Sequence, residues 1–238
     1  MNNQSELNSD YSGKEALWDI ENALINYSQS IVNSLSSIQA PNTKSVLEFG
    51  AGIGTLAKLM ESKTGIKPDC IEIDPKLQEI LQTRQLTVYP SLSKIQKKYD
   101  LIYTSNVLEH IENDIDSLKE IHSSLSDGGI LSIYVPAFMF LYSKFDKRIG
   151  HVRRYELQEL RKKVSDSGFQ ILVSQYPDSL GFFAWLLSKY SKDKNDEIGS
   201  TKKLIFYDKY LYPISQCLDR LGLRFILGKN ILLIAKKV

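Results

Sequence analysis

Four stretches of this sequence carry side chains able to do chemistry. The first is Glu48-Phe49-Gly50-Ala51-Gly52-Ile53-Gly54, where a carboxylate runs into three alternating glycines. Glycine there admits positive φ and lets the backbone approach a ligand closely. A helix opening after it would present free amides and its positive dipole end to the same ligand. Gly52-Ile53-Gly54-Thr55-Leu56-Ala57 fits the dinucleotide pattern Gly-x-Gly-x-x-Gly/Ala. Glu48, however, would repel a pyrophosphate and attract a cofactor bearing an ammonium and a sulfonium. That chemistry favours S-adenosylmethionine over a nicotinamide dinucleotide. The second stretch is Cys70-Ile71-Glu72-Ile73-Asp74-Pro75, in which Glu72 stands 18 residues after Gly54. Glu72 is placed to accept both hydroxyls of a ribose. Asp74, directly before a proline, reads instead as a helix N-cap.

The third and fourth stretches belong to the group that would receive the transferred fragment. Asn106-Val107-Leu108-Glu109-His110-Ile111 follows a buried strand, so His110 falls close to the reactive end of the cofactor. From Lys144 to Lys163 there are eight Lys/Arg against three Asp/Glu, a local charge of +5 in a chain of net charge +2. His151 lies among these cations and is the first choice for a general base, with His110 the second, because imidazole titrates near neutrality. Arg153 and Arg154 suit a carboxylate or phosphate, flanked by Tyr142 and Tyr155. Adjacent residues point in different directions, so one arginine at most faces the acceptor while the other pairs with Asp146 or Glu156. The remaining histidine, His122, shares an apolar face with Leu118 and Leu125 and reads as packing. No metal ligand set is expected.

The elements that position these residues follow from hydrophobic period. From about residue 14 to 38, Leu17, Ile20, Leu24, Tyr27, Ile31, Leu35 and Ile38 recur in steps of three and four, predicting one long amphipathic helix. Strands are expected at 45–49, 69–73, 86–89, 100–104 and 130–135, with helices after the glycine loop, at 75–82, around 115–125 and around 157–164. The alternation argues for a doubly wound α/β sheet. Strands at 169–174 and 231–235 are separated by some 55 residues, too long for a bare loop. This insert carries Phe182, Phe183, Trp185 and Tyr190, a charged linker at 192–197 and a helix around Ile214, Cys217, Leu218 and Leu221. The expected organisation is a tail and cap helix over 1–43, a cofactor-binding core over 44–178, a helical lid over 179–224 and a final strand over 225–238.

Together with Tyr99-Asp100-Leu101-Ile102-Tyr103 and Ser126-Asp127-Gly128-Gly129, these motifs fall in the order found in class I S-adenosylmethionine-dependent methyltransferases. The chain resembles that family over about residues 44–175. Gly150-His151-Val152-Arg153-Arg154-Tyr155 further resembles a subgroup with a Gly-His-x-Arg-Arg-Tyr signature, often associated with glycan biosynthesis. The resemblance implies a seven-stranded Rossmann-like sheet of order 3-2-1-4-5-7-6 with the last strand antiparallel. The cofactor positions expected are Glu48, Gly50, Ala51, Gly52, Gly54, Glu72, Ile73, Asp74, Leu92 and Asn106. One departure stands out: Tyr89-Pro90-Ser91-Leu92 lacks the acid that many relatives use to hold adenine. Backbone and Leu92 are expected to replace it.

Composition sets the outer limits. The 238 residues are 42% hydrophobic and 24% charged, ordinary for a globular chain, and +2 overall argues for neither nucleic acid nor an anionic membrane. Cys70 and Cys217 lack disulfide or zinc-ribbon spacing. No secretory leader or bilayer-length apolar run is evident, so a cytoplasmic location is expected. Thr104-Ser105-Asn106-Val107 replaces the Asn/Asp-Pro-Pro-Tyr/Phe of nucleobase amino methylation, and no Pro-Cys nucleophile occurs. The expected function is methyl transfer from S-adenosylmethionine to oxygen of a small acidic acceptor, with a homodimer through the insert possible. Alternatives are a nicotinamide-dependent oxidoreductase and a non-catalytic cofactor-binding subunit.

Overall fold

A computed structural model describes residues 14–39, 42–190 and 201–238. The polar tail expected over 1–12 and the charged linker at 192–197 lie outside them. Seven strands form one sheet: β1 (Val46–Phe49), β2 (Asp69–Ile71), β3 (Thr87–Tyr89), β4 (Tyr99–Ser105), β5 (Leu125–Pro136), β6 (Phe169–Gln175) and β7 (Asn230–Lys237). Their order is β3-β2-β1-β4-β5-β7-β6, as expected. β1 to β5 pair in parallel, while β7 runs antiparallel between β5 and β6.

Successive residues of a strand face opposite sides, and here both sides are buried. On β4, Leu101 and Tyr103 point to one core and Ile102 to the other; on β7, Leu232 and Ile234 oppose Ile231, Leu233 and Ala235. That is why these strands read as continuous apolar runs. One core packs under α5 (Asp114–Ser124) and α7 (Leu157–Asp166), through Leu118, Ile121, Leu160 and Val164. The other packs under α2 (Ile25–Leu35), α3 (Thr55–Thr64) and α10 (Tyr212–Arg220), through Ile31, Leu35, Met60 and Tyr212. The remaining helices are α1 (Lys14–Ala23), α4 (Pro75–Thr83), α6 (Lys144–Arg148), α8 (Ser179–Tyr190) and α9 (Thr201–Phe206). A π-helical turn, Tyr207–Leu211, joins α9 to α10.

Two boundaries depart from the sequence reading. The long first helix is broken at Leu24, whose φ of −115° and ψ of 55° are not helical. At this break the Asp208 carboxylate accepts the Asn26 amide at 2.9 Å and the Tyr27 amide at 2.8 Å, which caps a new helix start. Second, the helix expected around 115–125 ends at Ser124, and Leu125 already begins β5. Strand pairing with Tyr99 begins at Leu125, and a register shift between Tyr99 and Leu101 absorbs the extra residues. No helix among the described residues is long and apolar enough to cross a membrane.

Candidate active site

The carboxyl ends of β1, β2 and β4 converge, the position where open α/β sheets bind ligands. The loop leaving β1 turns at Gly50, Gly52 and Gly54, with φ of 81°, 57° and 84°. A Cβ at Gly50 would lie 2.3 Å from a methyl of Val107, so the loop and the end of β4 meet in a contact that only glycine allows. The Gly50 and Ala51 amides both donate to the Ile71 carbonyl at 2.9 Å, fastening the loop to β2.

Glu72 sits at the end of β2, nearly buried. Its Oε2 accepts the Gly52 amide at 2.8 Å and its Oε1 the Asp74 amide at 3.0 Å. Burial raises its pKa, against the lowering effect of those amides. Asp74 caps α4 through the Lys76 and Leu77 amides, as expected from Pro75. Ile73 stands 82% exposed between them, a large apolar side chain offered to whatever occupies the cradle. Asn106, at the end of β4, takes φ of 54° and its amide side chain donates to the Ser105 hydroxyl at 3.1 Å. Glu48 is buried beneath the loop, its carboxylate 3.1 Å from the donating Tyr103 hydroxyl. Burial pushes its pKa up to about 8, opposed by that hydrogen bond and aided by Glu72. Leu92, after β3, is 5% exposed and packs into the α5/α7 core.

On the other side of β4 lies a buried polar knot. Asp146 has no exposed surface. Its Oδ1 accepts Nδ1 of His151 at 2.9 Å and Nε of Arg154 at 2.9 Å, while its Oδ2 accepts the Ser143 amide and hydroxyl, each at 2.8 Å. Burial alone would raise its pKa, but His151, Arg154 and Ser143 outweigh it and hold Asp146 at about 2. The other face of His151 looks at Glu109, with Nε2 3.7 Å from Oε1. Glu109 is fully buried, and neither of its carboxylate oxygens has a hydrogen-bond partner. Burial pushes it to about 8. The His110 ring stands edge-on to His151, centroids 4.6 Å apart, with Nδ1 3.2 Å from the Gly150 carbonyl. Burial and the neighbouring imidazole push His110 down to about 4.

The four expected acceptor ligands are engaged inside the protein. Arg153 bridges Asp114 at 2.8 Å and the Glu112 carbonyl at 2.7 Å. Arg154 is buried on Asp146 and lies 4.7 Å over the Trp185 ring. The Tyr155 hydroxyl donates to Asp114 at 2.7 Å and the Tyr142 hydroxyl to the His151 carbonyl at 2.6 Å. Pairing of one arginine with Asp146 was foreseen. The partner of the other, Asp114, comes from the start of α5, a residue that nothing near Arg153 in sequence announces.

The insert packs onto the segment after β5. Phe182 stands edge-on to Phe138 and Phe140, Trp185 packs on Phe145, and its Nε1 donates to the Leu141 carbonyl at 3.1 Å. Sequence reasoning missed Lys229. It precedes β7 at the carboxyl end of β5, where its carbonyl accepts the Ala137 amide at 2.9 Å. Its ammonium lies over Trp185 at 5.1 Å and Tyr27 at 5.5 Å. Burial lowers its pKa, with Asp178 opposing and Arg154 adding to the shift.

A family model described as a methyltransferase domain matches residues 23–174. No curated protein matches the sequence. Among solved structures, phosphoethanolamine N-methyltransferase 2 of Haemonchus contortus, in complex with S-adenosyl-L-methionine, is 17% identical with a TM-score of 0.59. The match covers 94% of this chain and 56% of that one, so the chain spans little more than half of that enzyme's length. A possible histamine N-methyltransferase of Thermotoga maritima is 15% identical, TM-score 0.61, over 95% of both chains. A putative Haloferax volcanii methyltransferase, in complex with the Trm112 methyltransferase activator, is 12% identical, TM-score 0.62, over 94% of this chain and 95% of that one. At these identities the likeness is one of fold.

Proposed function

The chain belongs to the methyltransferase-domain family, and from that premise we propose that it transfers a methyl group from S-adenosylmethionine to an oxygen of a small acidic acceptor. The observation that carries the cofactor reading is Glu72. Its carboxylate lies 2.8 Å from the Gly52 amide at the mouth of the glycine loop, with lone pairs left to accept ribose hydroxyls. Exposed Ile73 adds an apolar wall beside it. Glu48, buried beneath the loop and protonated at neutral pH while the cradle is empty, can become the carboxylate that suits an ammonium and a sulfonium rather than a pyrophosphate.

Methyl transfer from a sulfonium is an in-line displacement, so holding the two reactants in line supplies much of the rate. The cradle holds the donor, and the segment after β5 with its covering helix α8 holds the acceptor. The acidic character of the acceptor rests on Lys229. An ammonium at the carboxyl end of β5, framed by Trp185 and Tyr27, is better placed to meet an anion than Arg153 or Arg154, whose guanidinium groups are committed to Asp114 and Asp146.

Calorimetric titration with S-adenosylhomocysteine, alongside NAD, tests the cofactor. S-adenosylhomocysteine is expected to bind saturably and NAD not at all; the reverse would return the chain to nicotinamide chemistry. Labelled methyl transfer into fractionated small metabolites then tests the acceptor. Label should appear in an anionic fraction, in a linkage of ether or ester type. Label confined to amines would overturn the oxygen reading.

A further inference from the structure

We propose that Glu109, His110 and His151 form a binding site for one divalent first-row transition-metal ion, of the imidazole-binding kind represented by Zn²⁺ or Co²⁺. Each of the three residues offers one ligating atom, and these atoms all lie within 4.8 Å of one another. Around a bound ion, donors about 2.0–2.1 Å from the metal stand roughly 3–3.5 Å apart. Glu109 Oε1 and His151 Nε2, at 3.7 Å, are close to that spacing already.

A second observation points to the same ligand. Glu109 is fully buried, yet neither carboxylate oxygen has a hydrogen-bond partner. Buried polar groups are nearly always satisfied, and an exception asks for an explanation. A dication between Glu109 and the two imidazoles supplies the missing partner.

The surroundings are those of a built site. With Asp146 Oδ1 accepting the Nδ1–H of neutral His151 at 2.9 Å, the lone pair stands on Nε2, the nitrogen that faces Glu109. A carboxylate behind a histidine in this way fixes both tautomer and ring orientation for a metal. Asp146 is itself immobilised by Arg154 and Ser143. The two ligand-bearing segments are joined by the Val152 amide donating to the Glu109 carbonyl at 2.8 Å, and within the second the His151 amide donates to the Asp146 carbonyl at 2.9 Å. The donor set argues for the metal class. Two imidazoles and one carboxylate suit a transition ion, whereas Mg²⁺ and Ca²⁺ prefer oxygen ligands throughout. Three protein ligands are also what metal sites use when a position stays open for water or substrate.

This inference rests on the methyltransferase reading for its purpose: an ion here would lower the pKa of an acceptor hydroxyl. His151 then acts as a ligand rather than a free base.

The test uses the full chain stripped by chelator and titrated with Zn²⁺ by calorimetry and Co²⁺ by visible absorption. One ion per chain is expected, with cobalt bands showing nitrogen ligation. Glu109→Gln, His110→Asn and His151→Asn should each weaken binding by more than the about 10–100-fold typical of losing an outer partner, and Asp146→Asn by an amount within that range. S-adenosylhomocysteine affinity, measured on the same samples, reports that the variants are folded. Absence of saturable binding, or an ion retained equally by all three variants, overturns the site. Should Glu109→Gln not fold, the partly exposed His110 decides. Cofactor binding without ion binding defeats this inference alone; ion binding without cofactor binding defeats the cofactor reading alone.

Discussion

The backbone amide of Gly52 donates to Oε2 of Glu72 at 2.8 Å, so the glycine loop and the end of β2 form one preorganised surface. Asp74, two residues on, spends Oδ1 on the first amides of α4 instead. The two acids therefore separate cleanly on substitution. Glu72→Ala should weaken S-adenosylhomocysteine binding by about 1.5–3 kcal/mol, the range for hydrogen bonds to a charged group. Asp74→Ala should leave that affinity nearly unchanged and cost about 1 kcal/mol of stability through loss of the cap. Calorimetric titration and urea unfolding of both variants check this. The opposite pattern would move the ribose to Asp74.

Glu48 gives a proton-linked prediction. Its pKa is about 8 in the folded chain against an ordinary 4.5, chiefly through burial, so at pH 7 it is mainly protonated. A cationic cofactor beside it favours the carboxylate. Binding of S-adenosylmethionine near pH 7 should therefore release a proton, seen as a dependence of binding enthalpy on the ionisation enthalpy of the buffer. Glu48→Gln should abolish the release. The same shift makes folding take up a proton between about pH 4.5 and 8, so stability falls as pH rises through that window. Glu109, also pushed to about 8, adds in the same direction in the metal-free protein, while His110, pushed down to about 4, opposes it below its ordinary value, so Glu48→Gln should make the slope shallower without removing it.

The sheet and its order were legible because each buried strand is a short apolar run and each crossover helix has its own period. The cradle was legible because glycine spacing and the acids at β1 and β2 lie in local sequence. The polar knot was not. Glu109 and His110 precede His151 by about 40 residues, and what brings them together is a backbone link from Val152 to Glu109 that no pattern encodes. The pairing of Arg153 with Asp114 depends likewise on where α5 begins. The placement of Leu92 shows the same limit. Its position after β3 suggested a nucleotide wall, but the turn Leu92–Lys94 rotates it into the core. The aromatic run of α8 showed itself in sequence as excess hydrophobicity, and its target, the segment around Phe138, only in three dimensions.

Asp146 should govern acid stability. It is held at about 2 against an ordinary 3.8, since His151, Arg154 and Ser143 outweigh the cost of burial. A depressed carboxylate stabilises the fold above its unfolded pKa and loses that contribution as pH falls toward the folded value. Wild-type stability should therefore drop by about 2 kcal/mol between roughly pH 4 and pH 2 from this group. Asp146→Asn leaves Arg154 buried without its counter-charge and should cost about 3–5 kcal/mol at pH 7. The gap between variant and wild type should narrow on acidification. Urea unfolding across pH 2–7 measures both; a gap that stays constant would remove Asp146 from this role.

The last prediction concerns the joint at Leu24. Asp208 belongs to the π-helical turn of the insert, yet its carboxylate accepts the Asn26 and Tyr27 amides at the start of α2. It is thus an N-cap supplied from 182 residues away. The cap matters because α1 lies on the glycine loop: a Cβ at Gly52 would come within 3.3 Å of Leu17, and Glu21 pairs with Arg84 at 2.8 Å and with the hydroxyl of Thr55. The angle between α1 and α2 is set at the break that Asp208 caps. Asp208→Ala should cost about 1–2 kcal/mol, the upper part of the capping range because the carboxylate is buried and holds two amides. Asp208→Asn, which keeps one acceptor oxygen, should recover part of it. Hydrogen exchange at Asn26 and Tyr27 should accelerate in the alanine variant ahead of the rest of α2, since the first turn loses its acceptors while Ile31 and Leu35 stay packed on the sheet. Unchanged exchange at those two amides would show that Leu24 breaks the helix without Asp208.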